Sequence, residues 1–527
     1  MSSFLLEIGV EELPARFIDP ALQQLEEMSR KMLTELRIAF GQIKAYGTPR
    51  RLALLIEGLS DEQQSLTKEV KGPAVKVAYD ADGNLTKAAL GFAKSQKIAA
   101  QDLIRKDLNG VDYVFAVIRQ EGRPVKEVLP QFCLDLITGL HFPKPMRWGD
   151  LAIRFARPIR WLVGLYNQEI IPFNFANLDS GRITYGHRFL AKEPLTLNQP
   201  EDYLETLHKA YVMADTAQRK ALIWQQVCQA AQEAGGQAEE NAELLDEVNN
   251  LLEWPTAFVG SFDAEFLRLP KEALVTPMRE HQRYFPVVGA DGRLLNKFVG
   301  VKNGTPEHLD IVRAGNEKVL RARLYDAAFF WDEDLKTPLI DRIDELKKIV
   351  WQESLGSIYG KVERIAALTQ WLGSKLAASA EEQKTADRSA LLCKADLVTS
   401  MVYEFTELQG VMGREYAVQN GEGQAVAQAI FEHYLPRFAG DELPASLPGQ
   451  ILALADKMDS LVGCFGIGIL PTGSQDPYAL RRQALGIANI ILNGGLVLSL
   501  EELISVAYDA YNDPQYPLTK SKEEVTS

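Results

Sequence analysis

The sequence predicts a multidomain chain with an α+β N-terminal half followed by an all-α C-terminal part. Two observations carry that division. Before residue 314, runs with strand composition, such as FLLEIGV at residues 4–10 and AYGTPRRLALLIEG at residues 45–58, alternate with stretches of helical period. From Gly315 onward the apolar residues recur at steps of three and four with little interruption, first as Leu320, Leu324, Ala327 and Trp331, later as Ile365, Leu368, Leu372 and Leu376. A chain of 527 residues holds about three or four domains at roughly 100–200 residues each, with room for several cores.

The elements follow in chain order. FLLEIGV reads as a strand, residues 19–40 as a helix, and residues 45–58 as a returning strand, so residues 1–66 form the first part of an α+β domain. Residues 67–142 read as a small inserted α/β unit. It has a strand with a turn at Asp82-Gly83, a helix from Ala88 to Ser95, a hairpin around YVFAVIRQEGR and a helix from Val125 to Leu140. Residues 143–195 continue the first domain, and 196–314 form a further mixed α/β domain in which the acidic stretch up to Glu253 reads as solvated helix. Residues 315–515 are helical and 516–527 a tail.

In the helical part Asn316 is the expected N-cap of a first helix, whose outer face pairs Glu317 with Arg321 and Arg323 with Asp326. Thr337-Pro338 opens a second helix with Leu339, Ile343, Leu346 and Val350 turned inward. The adjacent Asp332, Glu333 and Asp334 lack the glycine-bearing loop and second oxygen cluster of a calcium site and read as structure. Further helices are expected over 388–405, 424–434, 448–463 and 478–492, the last stopped by Asn493-Gly494-Gly495.

Composition limits the function classes. Cys133, Cys228, Cys393 and Cys464 are widely spaced and form no CxxC pair, which fits a reducing compartment and argues against a disulfide framework or thiolate zinc site. The N-terminal apolar run contains Glu7, Glu11 and Glu12 and lacks a basic flank, so it is no secretory signal, and the long uncharged run 484–500 is broken by asparagine and glycine, so no membrane span is expected. The net charge of −14 argues against indiscriminate nucleic-acid binding. Its distribution is uneven: residues 141–190 carry seven Lys/Arg against three Asp/Glu, whereas residues 231–256 carry seven acids and no base. A basic region on an acidic protein is the footprint of a binder that takes one nucleic acid in one place.

Candidate RNA-binding residues cluster accordingly. Arg50 and Arg51 sit beside Thr48-Pro49 in a turn able to meet phosphate, and the same pair also reads as a surface ion pair. Arg147, Arg154, Arg157 and Arg160 are interleaved with Trp148, Phe155 and Trp161, and Arg182, His187 and Arg188 follow. Arginine forks match phosphate and stack on bases, and aromatic rings stack too; the alternative is a half-buried sheet with outward arginines. Arg279, His281, Arg283 and Tyr284 form a second basic and aromatic group, for RNA or for a partner subunit.

Four stretches carry a family resemblance: FLLEIGVEELPARF at the start, the run from GNEKVLRARLYDAAFFW through SLGSIYGK, EFTELQGVMG, and SQDPYALRRQALGI near the end. In this order they resemble the β subunits of the bacterial two-subunit glycyl-tRNA synthetases, over essentially the whole chain. The resemblance implies a subunit that binds and positions tRNA(Gly) for ATP-dependent glycylation. The partner implied is a catalytic α subunit in an α2β2 assembly in the cytoplasm, with no cofactor in this chain and ATP and Mg at α. The sequence itself contains no HIGH tetrapeptide, no KMSKS loop and no GxxxxGK[ST] phosphate loop, so no catalytic residue is assigned and the chain alone is expected not to activate an amino acid.

The resemblance further implies that the helical part is HD-like. Metal phosphohydrolases of that type need His, His-Asp and Asp ligands; here Ala395 precedes Asp396, Asp456 and Asp459 offer carboxylates, and His433 is the one histidine of the helical part. A metal-free scaffold is expected, with an HD-type phosphohydrolase or a non-enzymatic assembly scaffold as the alternatives. Family members continue into a helical anticodon-binding domain, and this chain is expected to lack it, since it ends at KSKEEVTS about where that domain would begin.

Overall fold

The computed structural model describes residues 2–80, 82–473 and 475–527, with the backbone alone at residue 119. Of the stretches singled out above, position 1 of the first domain, position 81 beside the Asp82-Gly83 turn and Ser474 of the SQDPYALRRQALGI motif lie outside the described residues, as does the Arg119 side chain. The chain divides into two compact units, one of residues 1–259 and 299–313, the other of residues 260–298 and 314–527.

The first unit opens with strand β1 (Ser2–Val10), helix α1 (Ala15–Glu35), and strands β2 (Ile43–Thr48) and β3 (Arg51–Leu59). Residues 45–58 are therefore not one strand but most of a hairpin. Pro49 explains the break, because it has no N–H for the ladder and its fixed φ suits a turn. An insert follows, with strands β4 (Leu66–Ala74), β5 (Ile104–Leu108) and β6 (Val111–Gln120) and helix Lys87–Ser95 around a small core of Ala78, Ala89, Ala93, Leu103, Val114 and Ala116. Its hairpin turns at Asn109-Gly110, both at positive φ, and YVFAVIRQ is the second strand, not the turn; Asn-Gly is the pair that tolerates such a turn.

Helix Val125–Gly139 leads back to strand β7 (Ile159–Tyr166). The sheet order is β2-β3-β1-β7, ending on the short strand Glu169–Ile170, with β1 antiparallel to both β3 and β7. Every residue of β1 is buried. Because side chains alternate along a strand, Phe4, Leu6 and Ile8 join the core formed with α1 and helix Val125–Gly139. Leu5 joins Ala53, Leu55, Val163 and Leu165 on the other face, under Leu197, Tyr203 and Leu207. Each such side chain contributes roughly 1.5–3 kcal/mol on burial, so the central strand is anchored twice.

The second unit is mainly helical. Helix Leu447–Gly466, buried along almost its whole length, is packed by helices Ile358–Lys375, Ala380–Leu392, Leu480–Gly494 and Leu500–Asp509. Helix Leu309–Asp334 does bury Leu320, Leu324, Ala327 and Trp331. It starts before Asn316, however, which is interior and accepts a hydrogen bond from Tyr284 at 2.5 Å instead of capping. Its charges also pair elsewhere: Arg321 with Asp263 and Arg323 with Glu404. Leu339–Lys348 is a 3₁₀ helix, whose three-residue turn rotates Val350 out of line, leaving it 64% exposed at the start of a short strand.

The span 388–405 is likewise broken into Ala380–Leu392, a 3₁₀ turn at Ala395–Val398 and Ser400–Glu404. Buried Asp396 causes part of this by turning in to accept the amides of Gly410 (2.6 Å) and Gly413 (3.1 Å), and burial raises its carboxyl to about 6 despite those bonds. Gly410 has a φ of +78°, and a Cβ on Gly413 would stand 3.0 Å from the Asp396 carboxylate, which accounts for both glycines of EFTELQGVMG. Among the described residues no helix is long and apolar enough to cross a membrane.

Candidate nucleic-acid interface

Antiparallel pairing places Gly9, near the end of β1, opposite both Arg51 of β3 and Trp161 of β7. A Cβ on Gly9 would come within 1.9 Å of the Trp161 ring, so only glycine lets the indole lie across the strand. Tyr185 meets that ring edge-on at 5.1 Å, and the Arg50 guanidinium lies 5.7 Å from its centroid. With Glu11, Arg160 and Arg188 these residues line a cleft of about 530 Å³.

Beneath the cleft lies a buried ion network. Arg51 has no solvent exposure; its guanidinium donates to Glu253 at 3.0 Å, to the Tyr185 carbonyl at 2.9 Å and to Glu7 at 3.4 Å. Thr48 and Thr184 donate to Glu253 and Glu7 at 2.8 and 3.0 Å. Burial pulls the Arg51 pKa down, but Glu253 and Glu7 together hold it above its ordinary value, while burial raises Glu7 against the pull of Arg51. Arg50 donates to the Gly186 carbonyl at 3.1 Å and stands 3.7 Å from Glu253; burial lowers its pKa against the Glu253 attraction. The network ties β1, β3 and the Ile183–Tyr185 strand into one rigid floor.

The exposed arginines of the cleft are held differently. Glu11 bridges Arg160 at 3.4 Å and Arg188 at 2.8 Å, with Glu12 also 3.4 Å from Arg188. One carboxylate across two guanidinium groups is the arrangement a phosphate would replace. Nearby in sequence, the hydrogen-bonded pair Met146 and Phe155 closes a loop that carries Arg147 and Arg154 at its two ends. Both are exposed and neither has an ion-pair partner among the described residues.

The proposed RNA-contacting residues thus separate. Arg50, Arg160 and Arg188 converge on one cleft, and Arg147 and Arg154 are exposed on their loop with no ion-pair partner among the described residues. Arg51 is withdrawn, because its guanidinium is fully enclosed by carboxylates. His187 is buried against Asn303 at 3.2 Å and belongs to the floor. Phe155 packs on Phe142 in the core, Arg157 donates to the neighbouring Ala156 carbonyl and Arg182 to the Gln168 carbonyl. In the second unit Tyr284 is buried and stacked on Phe298, hence unavailable to a base; His281 is exposed beside Glu407, and Arg279 and Arg283 are half-buried. Sequence reading missed Glu11 and Tyr185 as cleft residues. It also took Glu253 for solvated surface, whereas that carboxylate is 2% exposed. The alternation ITY beside the basic run was the available signal for Tyr185.

The residues considered for a hard cation and those considered for an HD-type metal site are also placed. Asp332 forms a two-bonded pair with Arg268, Glu333 pairs with Lys336, and buried Asp334 accepts the amides of Ser400 and Met401. Asp459 takes Arg364 at 2.6 Å and Lys361 at 3.0 Å, and Asp456 takes Lys361 and Lys394, both at 3.0 Å. Lys394 also donates to His433 Nε2 at 2.8 Å. Burial, then Lys394, pushes the His433 pKa well down, so the imidazole is neutral with Nδ1–H turned to the Ile430 carbonyl. At Asp456 and Asp459, therefore, the ammonium groups of Lys361 and Lys394 and the Arg364 guanidinium occupy positions from which another cation would engage the carboxylates.

The profile of the family described as glycyl-tRNA synthetase beta subunit matches residues 4–527. Similar proteins named glycine–tRNA ligase beta subunit include those of Desulforamulus reducens (59% identity over 97% of this chain and 73% of the relative) and Desulfitobacterium hafniense (53% over 96% and 73%). That of Clostridioides difficile is 49% identical over 100% of this chain and 76% of the relative.

Proposed function

The chain belongs to the glycyl-tRNA synthetase beta subunit family, and we propose that its role in glycine–tRNA ligase is to hold and orient tRNA(Gly) while a separate α subunit makes the glycyl adenylate. The assembly is α2β2 and cytoplasmic, and ATP and Mg²⁺ bind at α. The reaction is glycine + ATP + tRNA(Gly) giving glycyl-tRNA(Gly), AMP and pyrophosphate. The β chain contributes orientation, turning the encounter between the RNA acceptor end and the adenylate into a positioned reaction.

The observation that carries this reading is the arginine cleft on its neutral buried floor. Arg160 and Arg188 exchange the Glu11 carboxylate for phosphate, Arg50 and Trp161 back the cleft, and the loop bearing Arg147 and Arg154 extends the path. Arg279, His281 and Arg283 serve a second contact. The helical unit is HD-like in descent and works as a metal-free scaffold, a reading supported by the lysines on Asp456 and Asp459.

The test uses the chain combined with its α partner. Arg160→Ala with Arg188→Ala should lower kcat/KM for tRNA roughly tenfold while glycine-dependent pyrophosphate exchange, which needs no tRNA, stays unchanged. Exchange by the isolated β chain, or equal loss of both activities in the variant, would contradict the division of labour.

A further inference from the structure

A second cavity, of about 440 Å³, opens within the helical unit above the Asp456 cluster. It falls in the range of roughly 300–1,000 Å³ typical of small-ligand sites. Its lining includes five cations, Lys361, Lys394, Lys457, Arg437 and Arg482, against one carboxylate, Asp456. Lys361 is saturated by Asp456, Asp459 and Ser460, and Arg437 pairs with Asp441. The rest are not.

Lys457 is 5% exposed, yet its ammonium has one acceptor, the His433 carbonyl at 3.1 Å, and no carboxylate within ion-pair distance among the described residues. Lys394 uses two of its three N–H donors, on His433 and Asp456. The Trp351 and Tyr434 rings flank the lysines, under the ammonium groups of Lys361 and Lys394 at 4.7 and 4.1 Å from the ring centroids, and the indole N–H and the hydroxyl are shielded from solvent without a hydrogen-bond partner among the described residues. Arg482 is exposed at the rim, without an ion-pair partner among the described residues. Burying uncompensated positive charge and polar donors is costly, and several converge on one space. Burial, opposed by Asp456, brings Lys457 down to about 8, the state of an ammonium lacking its anion. Ile358, Leu397, Pro436 and Pro477 give the same cavity apolar walls.

We propose that this cavity binds a nucleoside phosphate, whose phosphate oxygens take the open donors of Lys457, Lys394 and Arg482 and whose nucleoside lies along the apolar wall. A single small anion would leave most of these donors and the wall unused; a phosphate ester uses both. The site is non-covalent and catalyses nothing, since the groups that a hydrolytic centre would free to activate water are held by lysine.

The experiment is calorimetric titration of the full chain with ADP, and with adenosine as the uncharged control. ADP should bind saturably and adenosine at least about tenfold more weakly; Lys457→Met and Arg482→Ala should each weaken ADP by roughly tenfold. Arg482 is exposed, so its variant retains the fold if Lys457→Met does not. Competition by tRNA then separates the sources: displacement of ADP identifies the terminal nucleotide of an RNA strand as the occupant, and no displacement identifies a free nucleotide. Absence of saturable ADP binding, equal binding of adenosine, or ADP affinity unchanged in both variants overturns the proposal.

Discussion

Two buried charge clusters, one in each unit, set cations against carboxylates to opposite effect. Around Arg51 and Arg50 stand Glu7 and Glu253, two cations to two anions, closed over by hydroxyl donors. Around Asp456 and Asp459 stand Lys361, Lys394, Arg364 and Lys457, four cations to two anions, beside a cavity. A matched cluster holds strands in register and presents whatever lies above it. A surplus, by contrast, keeps a site ready for an anion at the expense of stability.

The largest effect expected from this contrast is at Arg51. Arg51→Met leaves Glu7 buried without a cation and Glu253 with Arg50 alone, at 3.7 Å, and should lower unfolding stability by about 3–5 kcal/mol, read by chemical denaturation. A loss below about 1 kcal/mol would mean that the network is not what braces the sheet.

Lys457 should behave in the reverse sense. Its folded pKa of about 8 lies below the ordinary lysine value of 10.5, so the unfolded chain binds the extra proton between those limits. The cost is therefore complete below about pH 8 and is relieved as pH rises toward 10.5; stability rises with pH through that window. Lys457→Met removes the ionisable group and should stabilise the protein at pH 7 by on the order of 3 kcal/mol. Relative to wild type the gain should shrink above pH 8. A destabilised variant, or a gain independent of pH, would show that Lys457 is already satisfied.

These contrasts also mark what the sequence could and could not disclose. Periodicity was enough for Phe4, Leu6 and Ile8, and for Leu320 through Trp331, because one side chain in two or in three to four must find the core whatever the partner. It could not distinguish Arg50 from Arg51. Adjacent in a basic turn, they differ by one step of strand parity, and the carboxylate that encloses Arg51 comes from Glu253, 202 residues away. The same limit hid the lysines: Lys361, Lys394 and Lys457 are unremarkable in three separate helical stretches and meet only in the packed bundle. That Ala395 and not histidine precedes Asp396 was readable, but that lysines engage Asp456 and Asp459 was not.

A smaller effect is expected at Glu11, which occupies Arg160 and Arg188 in the free protein. Glu11→Gln releases both guanidinium groups and should strengthen tRNA binding by roughly twofold to fivefold at low salt, with thermal stability nearly unchanged, since exposed pairs contribute about 0–1 kcal/mol. Weaker binding in this variant would assign Glu11 to positioning the arginines.

The most direct measurement is the salt dependence of tRNA(Gly) binding by wild type, Arg160→Ala and Arg188→Ala, with Arg182→Ala as a neighbour whose guanidinium is engaged with the Gln168 carbonyl. Loss of each phosphate contact should weaken binding at low salt by roughly threefold to tenfold and reduce the slope of log affinity against log salt by about 0.7–0.9. Arg160→Ala and Arg188→Ala should both show this, with melting unchanged, and Arg182→Ala should show little change in slope. Identical slopes for wild type, Arg160→Ala and Arg188→Ala would contradict it.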